Sequence, residues 1–421
     1  MTSLAVRDST ASRRHAGRIN PSDVVLAIAV LATSVHGLWA WQIGYSPTRD
    51  LVFTYLLTGI GLGFRYWRSL NRAAVILVTI WLVATWIGFL TWLAATDSNI
   101  ATNTWREWLL ASAFLVFGIA MGRQRWPSWQ WVFVVLAALL AAYQLLALIF
   151  ARDRLAEVLS GPGEFYSDRP MSAGLALLLV LGYIVLLARP AAAVTPLIAS
   201  GAGLFGISAV LSQHRSVWIA AGVALVLLAW MALRRGGYGV AWFVALLSPL
   251  AYAVASLVLS ATVSFSLLPS GSIKSVGGVG VPEAATNTAT LSWRLDMWQS
   301  RLTAPRSLMD WLTGGVFGVN PVKWPGTGVM NGYVSGHNMI VDTLTMYGLL
   351  GVIVLVGMFW LALAPRGADL GPDRIFLGAL LAFAVFYTAP PWSWVVLGVA
   401  LSAATGRSTA GQAVPDTEVP V

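Results

Sequence analysis

A short polar block at residues 335–338 carries the side chains of this sequence best suited to acid–base chemistry. It contains His337 and Asn338. Asp342 follows Asn338 by four positions, so these two residues share one face of a helix. We expect Ser335 to cap this helix and His337 to lie in its first turn, where the helix dipole disfavours imidazolium. Because a neutral imidazole can accept a proton, the block predicts a general base. A capping or interface histidine is the alternative.

Three arginines are candidates for binding an anion. Arg215 opens an apolar segment, and a cation at a helix N-terminus opposes the helix dipole, which predicts that an anion is received there. Arg294 and Arg301 are seven residues apart in a stretch of helical spacing, so they share a helical face and could clamp a phosphate. The alternatives are a snorkelling arginine for Arg215 and an amphipathic helix on the outer leaflet for the other two.

Two further residues lie next to apolar segments and are secondary candidates. Arg169 follows Asp168, and it either pairs with that carboxylate at the surface or provides a third cationic contact. His214 precedes Arg215, and we interpret it as a neighbour of the anion site rather than as a second base.

Several kinds of site are missing from the sequence. The chain has no Cys, which excludes disulfides, zinc–thiolate sites and cysteine nucleophiles. It also has no P-loop, no HExxH motif, no paired acidic motif in the predicted outer loops and no ligand-like cluster of His, Asp and Glu. We therefore predict no metal site and no cofactor, and the apolar segments lack the carboxylates expected of a proton-coupled transporter.

The candidate residues belong to a chain that is too apolar to be soluble. Of its 421 residues, 57% are hydrophobic and only 10% are charged, whereas about a quarter are charged in a typical soluble domain. A soluble fold must cover its surface with polar groups, and a disordered chain would be polar and poor in aromatic residues. The composition predicts an all-α polytopic membrane protein.

Apolar stretches of spanning length predict about twelve transmembrane helices and one long periplasmic loop that contains short amphipathic helices. The predicted spans lie at about 23–45, 50–64, 73–96, 107–122, 129–151, 170–188, 192–211, 215–233, 238–261, 348–364, 374–389 and 392–405. The predicted divisions are a cytoplasmic N-terminal tail (1–22), transmembrane helices 1–9 (23–261), the long periplasmic loop with the catalytic helix (262–347), transmembrane helices 10–12 (348–405) and a cytoplasmic C-terminal tail (406–421).

The basic residues predict the orientation of these spans. With a cytoplasmic N-terminus, the inner segments carry 15 basic and 6 acidic residues, and the outer segments carry 11 of each. The whole formal net charge of +9 then lies on the cytoplasmic side, as positively charged inner loops require. The basic composition is therefore a signal of topology, and we predict no nucleic-acid partner.

The segment from Gly336 to Gly351 resembles the O-antigen ligase/polymerase superfamily of membrane glycosyltransferases. It follows a long loop, begins Gly-His-Asn and contains Tyr-Gly-Leu-Leu-Gly. The Arg-Ser-Val-Trp sequence that starts at Arg215 resembles the family's second arginine-bearing motif, and Arg294 falls where the family has another arginine in the long loop.

The resemblance implies a metal-independent, inverting, GT-C-like glycosyltransferase at the periplasmic face of the bacterial inner membrane. The donor would be a glycan linked to undecaprenyl diphosphate, and the acceptor a sugar hydroxyl of lipid A-core, both embedded among membrane lipids. Carried over by position, His337 would be the general base and Arg215 and Arg294 would bind the diphosphate. Possible secondary site residues are Arg169, Asn338, Asp342, Arg301 and His214.

The same motifs occur in O-antigen polymerases and in protein-glycosylating oligosaccharyltransferases. The moderate length and the single long loop, without a large extra domain, favour a ligase. A lipid transporter or flippase is the alternative from another class, with the arginines as headgroup contacts and His337 at a gate.

Overall fold

The structure is a computed structural model. It describes residues 21–34, 47–63, 70–122, 129–150, 171–212, 214–262, 294–295, 297–317, 322–324, 328–330, 337–364 and 370–403. The two predicted tails, apart from residues 21 and 22, and the candidates Ser335, Asp168 and Arg169 lie outside these ranges.

Helices make up nearly all of the described chain. They are α1 (Pro21–Ser34), α2 (Pro47–Gly63), α3 (Arg72–Ala95), α4 (Ser98–Met121), α5 (Trp129–Phe150), α6 (Ala173–Leu187), α7 (Pro196–Leu211), α8 (Arg215–Arg235), α9 (Val240–Thr262), α10 (Leu308–Thr313), α11 (Met339–Leu363), α12 (Pro372–Ala384) and α13 (Trp394–Ala403). Short 3₁₀ helices cover Ala191–Ala193, Gly314–Val316 and Pro391–Ser393. A two-stranded antiparallel hairpin, β1 (Val322–Trp324) and β2 (Gly328–Met330), pairs Val322 with Met330, and the sequence analysis did not predict it.

The fold is therefore that of an all-α membrane protein. Four helices within the described ranges, α3, α5, α8 and α11, are long and apolar enough to cross a membrane, and several shorter apolar helices accompany them. Helix α6 is the innermost, since every residue from Leu175 to Leu187 is buried and it contacts α5, α7 and α8. Large apolar side chains such as Ile76 on α3 and Ile353 on α11 are exposed on the outside, as expected for a surface that faces lipid.

Two helices differ from the predicted spans. Helix α4 begins at Ser98 rather than near residue 107, and it packs against α2, where Asp50 faces Arg106. Helix α11 begins at Met339 rather than at 348, so the predicted catalytic helix and the following span form one element. This element is interrupted at Gly348, which has a positive φ of 69°.

The interruption of α11 requires glycine on both sides of a close backbone contact. A Cβ on Gly348 would overlap the Leu312 carbonyl group, and a Cβ on Gly314, whose φ is 59°, would overlap the backbone at Gly348. The indole of Trp92 on α3 donates a hydrogen bond of 3.0 Å to the carbonyl of Gly315. The segment after α10 is thereby fixed against the break in α11, because only glycine adopts this conformation without steric cost.

An aromatic cluster holds the first half of α11 against α3, α4 and α13. The ring of Tyr347 stacks on Trp81 with centroids 4.5 Å apart, and Trp81 in turn stacks on Trp394 at 5.0 Å. The Tyr347 hydroxyl lies 2.9 Å from Oγ1 of Thr85, which satisfies its buried polar group. The position of the first half of α11 is therefore fixed by buried aromatic packing.

The turns divide between two ends of the helix bundle. At one end, Arg235 at the end of α8 donates to the carbonyls of Ala188 and Leu370. These bonds join the end of α8 to the turn that follows α6 and to the turn that precedes α12. At the other end, the indole of Trp392 donates to the carbonyl of Gly174. That second end gathers the first residues of α4, α6, α8 and α11, and we refer to it as the site end.

Candidate functional site at the N-terminus of α11

Asn338 caps α11 and ties it to the turn that follows α12. Its side-chain oxygen accepts hydrogen bonds from the backbone N–H groups of Ile340 (2.9 Å) and Val341 (3.0 Å). Its side-chain nitrogen donates to the carbonyl of Val385 at 2.9 Å. The expectation that His337 lies in the first helical turn is wrong, because the cap is Asn338 and His337 lies before it.

His337 adopts a left-handed backbone conformation with a φ of 53°. Such a conformation is uncommon outside glycine, costs on the order of 1–3 kcal/mol, and clusters at functional sites. The imidazole lies against the ring of Tyr387, with centroids 4.8 Å apart. The backbone geometry thus turns this side chain away from the helix and toward the turn after α12.

The surroundings of His337 keep its imidazole neutral. Its pKa is lowered from 6.5 to about 4, mainly by burial and also by the positive charges of Arg294 and Arg301, while the carboxylate of Asp342 opposes the shift. We had expected a neutral imidazole on account of the helix dipole. The leading cause is instead desolvation, which penalises the charged form.

Arg294 lies beside this histidine with part of its hydrogen-bonding capacity unused. One guanidinium nitrogen donates to the carbonyl of Phe386 at 3.1 Å, and the group lies 5.7 Å from the centre of the Tyr387 ring. Its buried Nε has no hydrogen-bond partner within the described part of the chain. Burial lowers the pKa of Arg294, Tyr387 opposes this shift, and the nearby charge of Arg215 adds to it. An anion bound here would accept a hydrogen bond from the buried Nε and would offset the repulsion between Arg294 and Arg215.

Arg215 is exposed at the first position of α8, as the sequence predicted for the residue that opens this helix. Its charge is close enough to Arg294 to affect the pKa of that group. The two arginines come from segments that are far apart in the sequence, and the fold brings them together at the site end.

Arg301 does not belong to an exposed face with Arg294. Its guanidinium makes an ion pair of 2.9 Å with Asp342, and the two side chains are only 4% and 0% exposed. The Thr388 hydroxyl donates to the second oxygen of the same carboxylate at 2.7 Å. The structure therefore places the charge of Arg301 in an internal ion pair, whereas both predictions for this residue had left it available to a phosphate or to the membrane surface.

His214 is buried just before α8 and makes a hydrogen bond that stabilises the fold. Its Nε2 lies 2.7 Å from the carbonyl oxygen of Met171, a residue that precedes α6. This hydrogen bond fixes the start of α8 to the start of α6, and so it positions the neighbouring Arg215.

A cleft of about 230 Å³ opens beside His337. The turn after α12 forms one wall with Tyr387 and Thr388, and α4 and the start of α6 contribute Arg106, Glu107 and Ser172. Its remaining surface is mainly apolar and includes Leu110, Leu175, Pro390, Pro391 and Trp392.

The sequence analysis missed the residues of this cleft other than His337. Arg106 was assigned to the loop before the predicted span 107–122 and Glu107 to the first residue of that span, although no Pro or Gly occurs between Ser98 and Phe117 to end a helix there. The absence of Pro and Gly could have indicated that the helix begins before residue 107. Nothing in the local sequence marks Tyr387 or Thr388, because their proximity to His337 depends on how α12 packs beside α11.

The sequence matches no known protein-family model and no curated protein. Within the described ranges, no group of three or more His, Asp or Glu side chains could hold a metal ion. The chemistry that these residues can perform must therefore be judged from their geometry. A neutral imidazole can accept a proton, and two neighbouring guanidinium groups can bind an anion next to it.

Proposed function

We propose that this protein is a membrane glycosyltransferase of the O-antigen ligase type. It would transfer a glycan from undecaprenyl diphosphate to a sugar hydroxyl of lipid A-core. The observation that carries the proposal is a neutral, partly buried histidine that opens onto a cleft and lies beside Arg294, a desolvated arginine with an unused donor. The resemblance at residues 336–351 supports the same chemistry.

The reaction needs a base and a stabilised leaving group. The acceptor oxygen attacks the anomeric carbon of the donor sugar while its proton moves to the imidazole of His337. The bond from that carbon to the diphosphate oxygen breaks with inversion, and undecaprenyl diphosphate leaves with the electron pair. Arg215 and Arg294 compensate the negative charge that builds on the leaving phosphate, which is the largest contribution expected at such a site.

The proposed orientation places the site end in the periplasm. Arginines lie at the opposite end of the bundle, where Arg235 bonds to two turns and Arg189 follows α6. Cytoplasmic loops are enriched in such residues. Both substrates carry lipid tails, so a cleft at the end of the helices can receive their sugars while the tails stay in the inner membrane.

The test is transfer by the purified protein in liposomes that contain undecaprenyl-diphosphate-linked glycan and lipid A-core. No nucleotide or ion gradient is supplied, and excess EDTA is present. We expect glycan on lipid A-core, whereas a polymerase would extend the donor glycan and a flippase would form no new bond. Loss of all activity in EDTA that a divalent ion restores would contradict the proposal.

Variants of the site sharpen this test. His337→Ala should reduce the rate by about 10²–10⁴ while donor binding survives, because general-base catalysis contributes that much. Arg294→Ala and Arg215→Ala should each weaken donor use by roughly ten- to hundred-fold, the loss of about 1.5–3 kcal/mol from a hydrogen bond to a charged group. Arg234→Ala, which removes an arginine at the opposite end, is the matched control and should behave as wild type. Near-normal turnover by folded His337→Ala would refute the assignment of the base.

A further inference from the structure

Two charged residues lie well inside α4 without a role in the proposed chemistry. Glu107 is the tenth residue of the helix, which places it about 14 Å from the helix start at a rise of 1.5 Å per residue. The residues that follow, from Trp108 to Met121, are apolar or small and almost all buried. Charged groups beside the apolar part of a helix in a membrane protein are costly, and they mark sites that bind or react with a polar group.

The neighbouring arginine is held in place by a buried carboxylate. The Nε of Arg106 lies 3.7 Å from Asp50 on α2, whose side chain is 4% exposed, and its Nη2 lies 3.4 Å from Glu107. An internal ion pair between Asp50 and Arg106 explains these two residues without any ligand. Glu107 pairs with the same arginine, but its side chain remains 44% exposed and lines the cleft, so it can still bind a ligand.

Glu107 and His337 line the same cleft from different elements. Leu110 follows Glu107 by one helical turn and lines it as well, so this face of α4 forms a wall of the cleft. The cleft is an open groove with a volume of about 230 Å³. This is the scale of one sugar ring.

The composition of the cleft suits a carbohydrate better than an ion. A carboxylate accepts hydrogen bonds from hydroxyl groups, and it would repel the diphosphate that Arg294 attracts. The guanidinium of Arg106 and the hydroxyl of Ser172 can donate to sugar oxygens, while the half-buried Pro390 and Pro391 offer apolar surface for the C–H faces of the ring.

We infer that Glu107, oriented by Arg106, binds hydroxyl groups of the acceptor sugar and so selects which hydroxyl reaches His337. This inference rests on the proposed function and adds a specificity-determining residue to it. It separates the site into a cationic part for the donor diphosphate and an anionic part for the acceptor.

The first experiment measures binding without donor. A fluorescent lipid A-core glycolipid is titrated into the full-length protein in nanodiscs, for wild type and for Glu107→Gln. We expect the variant to bind ten- to hundred-fold more weakly, as loss of a charged hydrogen-bond partner implies. Asp97→Asn is the matched control, because it removes an exposed carboxylate from the turn before α4, outside the cleft, and should bind as wild type.

The second experiment follows transfer in liposomes. Glu107→Gln should raise the KM for acceptor by about tenfold or more and leave the KM for donor within twofold. Glu107→Asp keeps the charge but moves it by one methylene, so it should change which hydroxyl is glycosylated. This variant also tests the inference if Glu107→Gln unfolds.

The outcomes separate the two proposals. Wild type that binds the glycolipid through Glu107 but transfers nothing would refute the proposed function and leave the sugar site intact. Wild type that transfers glycan while Glu107→Gln binds and uses acceptor normally would refute the inference about Glu107 alone.

Discussion

Breaking the ion pair between Arg301 and Asp342 should destabilise the protein strongly. The two side chains are 4% and 0% exposed and their charged atoms are 2.9 Å apart, so neither charge can be hydrated when its partner is removed. In Arg301→Met the carboxylate of Asp342 keeps the hydrogen bond from the hydroxyl of Thr388 but loses the cation. Removing one member of a buried pair costs about 3–5 kcal/mol, because an uncompensated charge remains in a medium of low polarity.

Removing both charges should be much less harmful. The double variant Arg301→Met, Asp342→Leu replaces the pair by apolar side chains of similar size, a change that is often neutral or stabilising in other proteins. The hydroxyl of Thr388 would lose its acceptor, at a cost of about 1 kcal/mol. We therefore expect the double variant to be more stable than Arg301→Met by at least about 2 kcal/mol.

The assay is reversible unfolding of the purified protein in detergent, followed by tryptophan fluorescence. The free energies of wild type, both single variants and the double variant give the coupling energy of the pair. Arg234→Met, at an exposed position on α8, is the control and should change stability by less than about 0.5 kcal/mol. Arg301→Met with the stability of wild type, or additive effects in the double variant, would refute the description of a buried, coupled pair.

Four further predictions concern other parts of the molecule. Because the pKa of His337 is about 4, the proposed transfer rate should be constant from about pH 5 to 8 and fall only as the imidazole is protonated; a half-maximal rate near pH 6.5 in a pH–rate profile would show that the group is not shielded. The same depressed pKa means that the unfolded state binds the proton more readily, so stability should fall as the pH decreases from 6.5 to about 4, and a folded His337→Gln variant should lack this dependence in unfolding measurements. Gly348→Ala should lower stability by about 2 kcal/mol or more, through its positive φ and the clash with Leu312, whereas Gly222→Ala, in open space within α8, should be neutral or slightly stabilising in the same measurement. In this cysteine-free chain, Asp97→Cys should react with a membrane-impermeant thiol reagent from the periplasm and Ala192→Cys should not; the reverse pattern would contradict the proposed orientation.

Local sequence features determined the fold class and much of the helix pattern. The apolar stretches predict an all-α membrane protein because backbone groups in lipid must be satisfied within a helix. Arg215 was predicted to begin a helix, and α8 begins there. These features depend on hydrophobicity and on contacts within a few residues, which a sequence displays directly.

The boundaries of the helices depended on partners from elsewhere in the chain. Helix α4 extends back to Ser98, and Arg106 within it pairs with Asp50 on α2. The break in α11 is located by the contact between Gly348 and Gly314, which are separated by more than thirty residues. A glycine in an apolar stretch has many local interpretations, and only its packed neighbour selects one.

The candidate site depended on the tertiary structure even more strongly. The polar block marked His337, yet its low pKa results from burial and from charges on segments distant in sequence. Arg294 and Arg301 had equivalent spacing signals, but packing paired Arg301 with Asp342, whereas Arg294 donates to the carbonyl of Phe386. Residue type and spacing determine which groups are available, whereas their burial and partners are set by long-range packing, and these decide whether a charge serves the scaffold or a ligand.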